Sequence, residues 1–565
     1  MKIPSKNYII KTFTIIFFIL ISNNHVMSQN TVGLILNDST QSYNGYTLFA
    51  PNLAKITYLI DNDGNLVHQW ESNFIPGMSA YLLEDGHLLR AAAKVDPTGN
   101  STRTGGFQKF DWDGTLVWDY YIGTQHHDIE PMPNGNVLMV VNDRKNQNVA
   151  VQAGRDPSLI DYTVASPNIR SLSIIEVSQT GLDTADIVWQ WNAWDHLIQD
   201  FDNTKDNFGV VAEHPELIDI NFAKDESPDW LHTNSVSYNE GLDQIIVSNR
   251  STHEIWVIDH STTTDVAATH EGGNSGKGGD LLYRWGNPVG YGAGVEADRK
   301  LHGHHDAHWI APGLPGEGNI LIFSNGWPDR GFSSIEEIVP PVDGNGNYAL
   351  TAGTAYDPSA QLWTYTTPTQ TDFNSQRFGG SQRLPNGNTL ICNADSGEFF
   401  ELTPTEEIVW KYQNPVDGST ALNQGDQPVG NLQVFRCYKY DPDYSAFAGK
   451  DLTPSEPIEL YPTISINDEN VQITNIQLYD NYPNPFNPTT NIEFLLIERV
   501  HVNITIYDLV GNIVRSLVSK TMEPGINTIK WDSLDDSGIL VSSGVYFYNL
   551  HAGHQNQTKK MILLR

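Results

Sequence analysis

The sequence predicts an all-β protein, and three observations carry the prediction. Helix signals are scarce, and short runs rich in Val, Ile, Tyr and Trp alternate instead with Asn-Gly and Asp-Gly turns, the pattern of hairpins. An aliphatic pair closing on an aromatic residue occurs six times: NLVHQW from Asn65, TLVWDY from Thr115, DIVWQW from Asp186, DLLYRW from Asp280, AQLWTY from Ala360 and EIVWKY from Glu407. A second unit, a turn leading into a strand, stands at LEDGHLLRA from Leu83, MPNGNVLMV from Met132, PGEGNILIF from Pro315 and LPNGNTLIC from Leu384.

A hairpin that ends in an outward strand, followed by another that starts near an axis, is how a propeller blade reads in sequence, so six copies predict six blades. The copies lie from under fifty to over ninety residues apart, which places long insertions in several blades. The competing reading is a β-sandwich with Trp-rich strands. Two acidic turns, Asp61 to Asn65 and Asp111 to Thr115, begin like calcium loops but lack the closing Glu and lead straight into the repeated strand, so they read as hairpin turns.

The two ends have other textures. Residues 1–28 place lysines before an apolar run and a small polar stretch, the order of a signal peptide whose removal near Ser28 is expected. The propeller is expected over 29–464, a linker over 465–477 and a separate domain over 478–565. That last domain opens on a Pro/Asn-rich segment, NYPNPFNPTT, and continues in alternating apolar strands with a Gly-Asn hairpin, which predicts a small immunoglobulin-like sandwich. It resembles the C-terminal sorting domain that sends cargo through the type IX (Por) secretion system. That resemblance implies a partner in the type IX machinery and a secreted or cell-surface protein, exported through the periplasm of a Gram-negative bacterium.

Composition narrows the function. The chain has 565 residues, and 33 Lys and Arg against 67 Asp and Glu give a net charge of −34, which argues against nucleic acid and anionic membranes as partners. No segment after the leader is long and apolar enough to be read as a transmembrane segment of the mature chain. Cys392 and Cys437 are the only cysteines; an oxidising compartment permits a bridge between them, and sequence leaves paired and free thiols both open.

Chemistry concentrates in LHGHHDAHWIAPG, where His302, His304, His305 and His308 fall within seven residues of a chain with eighteen histidines. Imidazoles at such spacing can ligate zinc, and strand alternation would put His302, His304 and His308 on one face with Asp306. No cysteine or carboxylate set with ligand spacing accompanies them, and a surface insertion is a further reading. Three other stretches carry similar residues: His126, His127 and Asp128; His232, Asn234 and Arg250; Ser381 and Arg383. Each stands just before a turn and strand, where blades enter near an axis. Gathered there, imidazoles and a guanidinium suit a tetrahedral oxyanion such as a sulfate or phosphate ester.

The set HHD (126–128), DWLHTNS (229–235) with SNR (248–250), HHDAHWI (304–310) with LIFSNG (321–326), and GGSQRLPNGN (379–388) resembles the bacterial aryl-sulfate sulfotransferase family over most of 31–442. The resemblance implies a six-bladed propeller that moves a sulfuryl group from an aryl sulfate to a phenol without a nucleotide donor or cofactor. It puts the transiently sulfurylated histidine at His305 and oxygen-holding residues at His127, His232 and Arg250. Asn234, Ser381, His126 and His308 are carried as substrate-binding neighbours, and no metal is implied. The family's FDNG turn reads FSNG here, with Ser324 in place of Asp, and His126, His304 and His308 are extra neighbours, which leaves acceptor recognition open. A nucleophilic imidazole splits the transfer into two displacements, and His232 is the expected proton shuttle. The chain has no Gly-rich phosphate loop ahead of a helix, in keeping with a nucleotide-free reaction. The other function classes are a non-catalytic binding propeller and a metal-assisted hydrolase built on His302 to His308.

Overall fold

Five of the six aromatic-closing segments form an outer strand of their sheet, and the sixth, EIVWKY, is flanked on its outer side by Gly33–Asn37. In the computed structural model, residues 30–461 and 476–565 are described, apart from 95–104, 161, 163–167, 223–228, 497–498 and 553–554. The expected signal peptide and residues 465–475 of the expected linker lie outside the described residues. The chain divides into two compact units, one running to Tyr461 and the other starting at Pro462.

Among the described residues the first unit has six larger antiparallel sheets in chain order, besides two two-stranded ribbons at Leu197–Ile198 with Ile218–Asp219 and at Val416–Asp417 with Thr420–Ala421. Sheet 1 takes Tyr46–Pro51, Ile56–Ile60 and Leu66–Glu71; sheet 2 takes Pro76–Leu82, Leu88–Ala92, Gly106–Phe110 and Leu116–Tyr121. Sheet 3 takes Gln125–Pro131, Val137–Asn146, Asn168–Gln179 and Ala185–Asn192, and sheet 4 takes Thr233–Asn239, Gln244–Asn249, Glu254–Asp259 and Tyr283–Trp285. Sheet 5 comprises His305–Trp309, Ile320–Ser324, Ser334–Ile338 and Trp363–Tyr365, and sheet 6 comprises Gly380–Arg383, Thr389–Asn393, Glu398–Leu402 and Ile408–Gln413. The turn-plus-strand motifs at Leu83, Met132, Pro315 and Leu384 are the first hairpins of sheets 2, 3, 5 and 6.

The two ends of this unit cross over to complete each other's sheets. Val434–Tyr440 pairs with Tyr46–Pro51, setting Cys437 against Phe49, and Gly33–Asn37 pairs with Ile408–Gln413, setting Leu34 against Tyr412. Each crossing covers a strand edge that would otherwise present unpaired amides. Hydrophobic cores fill the spaces between successive sheets: Trp70 and Leu59 meet Leu82 and Leu88, Trp118 meets Val137 and Met139, and Trp191 meets Trp256. Val257 and Tyr283 then meet Ile322, Phe323 meets Ile391 and Phe400, and Phe399 returns to Phe49 and Val434 of sheet 1. The cores therefore close on themselves from sheet 6 back to sheet 1.

Those closing aromatics explain the repeat. Trp70, Trp118, Trp191 and Trp410 are almost wholly buried, and a large apolar side chain taken from water contributes roughly 1.5–3 kcal/mol. The indole N–H groups of Trp70, Trp191 and Trp410 donate to the carbonyls of Asp111, Gly279 and Asn62, so these side chains also pin the next or adjoining turn. The two acidic turns are hairpin turns as expected: the Asp61 carboxylate accepts from the Asp63 and Asn65 amides, and Asp111 accepts from Thr115.

Cys392 and Cys437 lie on adjoining strands, both buried and both as free thiols, with the Cys392 Sγ toward the Val434 carbonyl. The second unit has a sheet of Ile476–Leu478, Thr490–Leu496 and Gly525–Trp531 and another of Val500–Tyr507, Ile513–Met522, Gly544–Ala552 and Gln555–Leu563. Phe494, Ile504, Trp531 and Tyr548 fill a core shared by the two sheets. Among the described residues no helix is long and apolar enough to cross a membrane.

Candidate active site

The first strands of sheets 3, 4, 5 and 6 carry the residues singled out in sequence. Gln125–Pro131 holds His126, His127 and Asp128. His232 immediately precedes Thr233–Asn239, and Arg250 immediately follows Gln244–Asn249. The Arg250 amide donates to the His232 carbonyl at 3.2 Å, so both side chains leave the same end of sheet 4. His305 opens the first strand of sheet 5.

Five non-glycine residues here adopt left-handed backbone: His127 at φ 54°, His232 at φ 47°, His253 at φ 59°, Asp306 at φ 56° and Phe378 at φ 59°. Each such residue costs about 1 kcal/mol or more and persists only where its surroundings over-determine it. Asp306 also interrupts the pairing register between His305 and His308. Simple alternation over 302–308 therefore does not hold, because the strand starts only at His305 and is kinked one residue later. The four imidazoles go to four places: His302 to Asp329, His304 into the interior, His305 to Asn325 and His308 to the Asp306 carbonyl.

The state of His305 follows from Asn325. The Asn325 amide N–H₂ donates to the carbonyls of Ser375 and Phe378, each at 2.7 Å, which leaves its Oδ1 as the acceptor facing His305 Nδ1 at 2.7 Å. His305 therefore carries its proton on Nδ1, and the lone pair sits on Nε2. The Phe378 amide approaches that Nε2 at 3.4 Å, as a donor would approach a bare nitrogen. Burial holds His305 well below the ordinary histidine range; the Asn325 bond opposes this, and Arg250, His127 and His232 reinforce it.

Around this nitrogen stands a basic set. The His127 and His232 rings lie 5.0 Å apart, and His126 Nδ1 meets His127 Nδ1 at 2.9 Å. Burial pushes His126 down to about 4, and burial together with His232 and His126 keeps His127 well below the usual value. His232 differs: its Nδ1 lies 3.0 Å from Asp229 Oδ2. Burial raises Asp229, but the His232 bond and the charges of three imidazoles outweigh it and hold the carboxyl well below its usual range. A carboxylate that fixes one ring nitrogen of an imidazole leaves the other free to accept or give a proton.

Behind the imidazoles lies a charged layer. Arg436, on the strand completing sheet 1, reaches Asp128 Oδ2 at 2.8 Å and Asp306 Oδ1 at 3.0 Å. All three are buried. Arg436 thus pairs with two acids at once. Asp128 Oδ2 also accepts the Val236 amide at 3.1 Å, and Asp306 Oδ2 accepts the Ser381 amide at 2.9 Å. Burial beside Asp128 pushes Glu130 up to about 8.

The expected substrate neighbours divide accordingly. His126 is in the imidazole set. Ser381 and His308 converge on Asp306, the latter through its carbonyl at 2.9 Å. Asn234 is fully buried and donates to the His304 carbonyl at 2.8 Å, fixing the backbone one residue before His305. A cavity of about 280 Å³ opens beside Arg250, lined by His253, Gly303, Trp327 and Asp329 among others. Trp327 is exposed there, and Gly303 is required because a Cβ would lie 2.4 Å from the Trp327 carbonyl oxygen. Sequence reasoning missed Asn325, Asp229 and Trp327 as site residues. Asn325 stood inside the quoted LIFSNG turn and Asp229 opened DWLHTNS, so position near a marked histidine was the available signal.

Comparison with known proteins adds the following. The family described as Arylsulfotransferase (ASST) matches residues 32–421, and the one described as Secretion system C-terminal sorting domain matches 480–564. No curated protein matches the chain at a significant level. Among solved structures, a protein of unknown function from Bacteroides caccae is 11% identical and covers 70% of this chain and 99% of its own, with a TM-score of 0.36. A streptogramin B lyase is 10% identical over 73% of this chain and 94% of its own, with a TM-score of 0.33. The virginiamycin B lyase of Staphylococcus aureus is 9% identical over 70% and 87%, also at 0.33.

Proposed function

The chain belongs to the arylsulfotransferase family, and on that premise we propose that it transfers a sulfuryl group from an aryl sulfate to a phenolic acceptor through a covalent intermediate on His305. The observation that carries this reading is the Asn325 contact, which places the proton of His305 on Nδ1 and its lone pair on Nε2. In the first displacement Nε2 attacks sulfur, the N–S bond forms, and the S–O bond to the aryl group breaks with its electron pair leaving on the phenolate. In the second, the acceptor phenol oxygen attacks sulfur, the N–S bond breaks and His305 recovers its lone pair.

Arg250, His127 and His232 take the three non-bridging oxygens, where a well-placed donor is worth about 2.7–4 kcal/mol. His232, oriented by Asp229, also gives the leaving phenolate its proton and takes one from the incoming phenol. Asn325 gains importance as the reaction proceeds, since Nε2 sulfurylation makes the ring cationic and the Nδ1–H bond charge-assisted. Asp128, Arg436 and Asp306 hold the two strands that carry His127 and His305, and the cavity beside Arg250 and Trp327 receives an aryl ring.

The same reading takes the six sheets as blades of a propeller with their first strands around the axis. The C-terminal unit is taken as an immunoglobulin-like sandwich, and residues 1–28 as a removable leader. A type IX sorting tail implies export, so the enzyme works at or beyond the cell surface. Initial rates with varied donor and acceptor test the covalent scheme: parallel double-reciprocal lines are expected, and intersecting lines contradict it.

A further inference from the structure

The outer side of sheets 3 and 4 brings His196 together with two ligating side chains, His270 and Asp280, more than seventy residues further along the chain. His196 ends the short turn Ala193–His196 that follows sheet 3; His270 follows the short helix Thr264–Ala267; Asp280 precedes the last strand of sheet 4. His196 Nδ1 lies 2.8 Å and His270 Nδ1 2.7 Å from the same oxygen, Asp280 Oδ1. One donor atom from each of the three falls within 4.8 Å of the others, the one such group among the described residues.

The hydrogen-bond inventory of His196 calls for a cation. Its Nε2 faces the Ala267 carbonyl at 2.8 Å, an acceptor only, so Nε2 carries a hydrogen. Its Nδ1 faces a carboxylate oxygen, also an acceptor only. A neutral ring would aim a lone pair at that oxygen, and the ring is fully buried, stacked on Trp191 at 5.5 Å. Either a second proton or a metal ion must lie between them. A metal-ligating imidazole ordinarily donates its other N–H to a backbone carbonyl, as His196 does to Ala267.

We propose that His196, His270 and Asp280 bind one zinc ion. Imidazole nitrogens favour zinc over calcium or magnesium, and two imidazoles with one carboxylate leave a fourth position for water. The His270 side chain is 61% exposed, which gives the ion access and that position solvent. Tetrahedral bonds of zinc length put donor atoms about 3.3 Å apart, so the His270 contact opens as that exposed side chain moves outward, and the His196 contact opens by a small turn of the Asp280 carboxylate. The ion ties the glycine-rich segment between His270 and Asp280 to the end of sheet 3. Gly279 leaves no alternative there: a Cβ would lie 2.7 Å from His196 Nε2 and 2.0 Å from the Ala267 oxygen.

The test loads the untagged purified chain, stripped with a chelator, with zinc chloride alone, desalts it and measures bound zinc by atomic emission. One zinc per chain is expected in the wild type and in His305→Ala, with none in His270→Ala; zinc should also raise the Tm of the wild type and not of His270→Ala. Because His270 is exposed, its replacement leaves the core untouched. Three results overturn the proposal: no zinc retained by the wild type, equal retention by His270→Ala, or loss in His305→Ala, which would place the ion among the imidazoles around His305.

Discussion

The tripeptide His-His-Asp occurs twice, at 126–128 and at 304–306, and the two copies end in different environments. Both aspartates meet the same guanidinium, Arg436. In the first copy the left-handed residue is the second histidine, His127, and its neighbour His126 bonds to it. In the second the left-handed residue is the aspartate, His304 is buried away, and His305 is held by Asn325. Under the proposed mechanism, identical local sequence gives an oxygen-holding imidazole in one strand and a nucleophile in the other. Local sequence supplies the imidazole, and the partner across the sheet decides its tautomer.

This contrast can be broken most sharply at the two second histidines. His305→Ala should lower turnover of an aryl sulfate by about 10⁴-fold or more, since the intermediate cannot form. His127→Ala should cost about 10²–10³-fold in kcat, as removal of one charge-stabilising donor does. Equal losses would erase the distinction between the copies. Next in size is the guanidinium they share: Arg436→Met leaves two buried carboxylates unpaired and should destabilise the first unit by about 3–5 kcal/mol in urea unfolding. If it does not, the shared clamp is not what holds the strands.

Much of the fold was legible because a buried aromatic ring in the closing segment of each sheet recurs in register with its aliphatic pair. The crossing strands were not: nothing near Leu34 points to Tyr412, and pairing across the whole unit leaves no local trace. The histidines were legible as residue types at repeated positions. Their proposed roles rest on Asp229, three residues before His232, and on Asn325 and Arg436, whose importance comes from contacts between strands apart in sequence. His196, His270 and Asp280 share no ligand spacing at all.

Two smaller effects sharpen the comparison. Asn325→Leu should lower kcat about 10–100-fold, the worth of one hydrogen bond to a charged ring, with little change in donor KM. An unchanged kcat would remove Asn325 from the account. The pH dependence has a definite sign. Burial lowers His126 to about 4 and His304 to about 3, so in the folded chain both stay neutral where the unfolded chain takes up protons. Stability is therefore complete above the ordinary histidine value of about 6.5 and is lost as pH falls toward 4. His304→Leu should flatten that loss in denaturation midpoints measured from pH 7 to pH 4; an unaltered slope would contradict it. The depression of His305 keeps its nucleophilic form through the same window in the chain that remains folded, so acid inactivation should follow the loss of folded protein rather than protonation of His305.

The central claim, a covalent sulfuryl group on His305, is tested most directly by intact mass and peptide mapping after brief mixing with 4-nitrophenyl sulfate, with and without added phenol. The account predicts a gain of one sulfuryl group, located on His305, absent from His305→Ala and discharged by phenol. Release of nitrophenol with no adduct at any mixing time, or an adduct on another residue that phenol discharges, would contradict it.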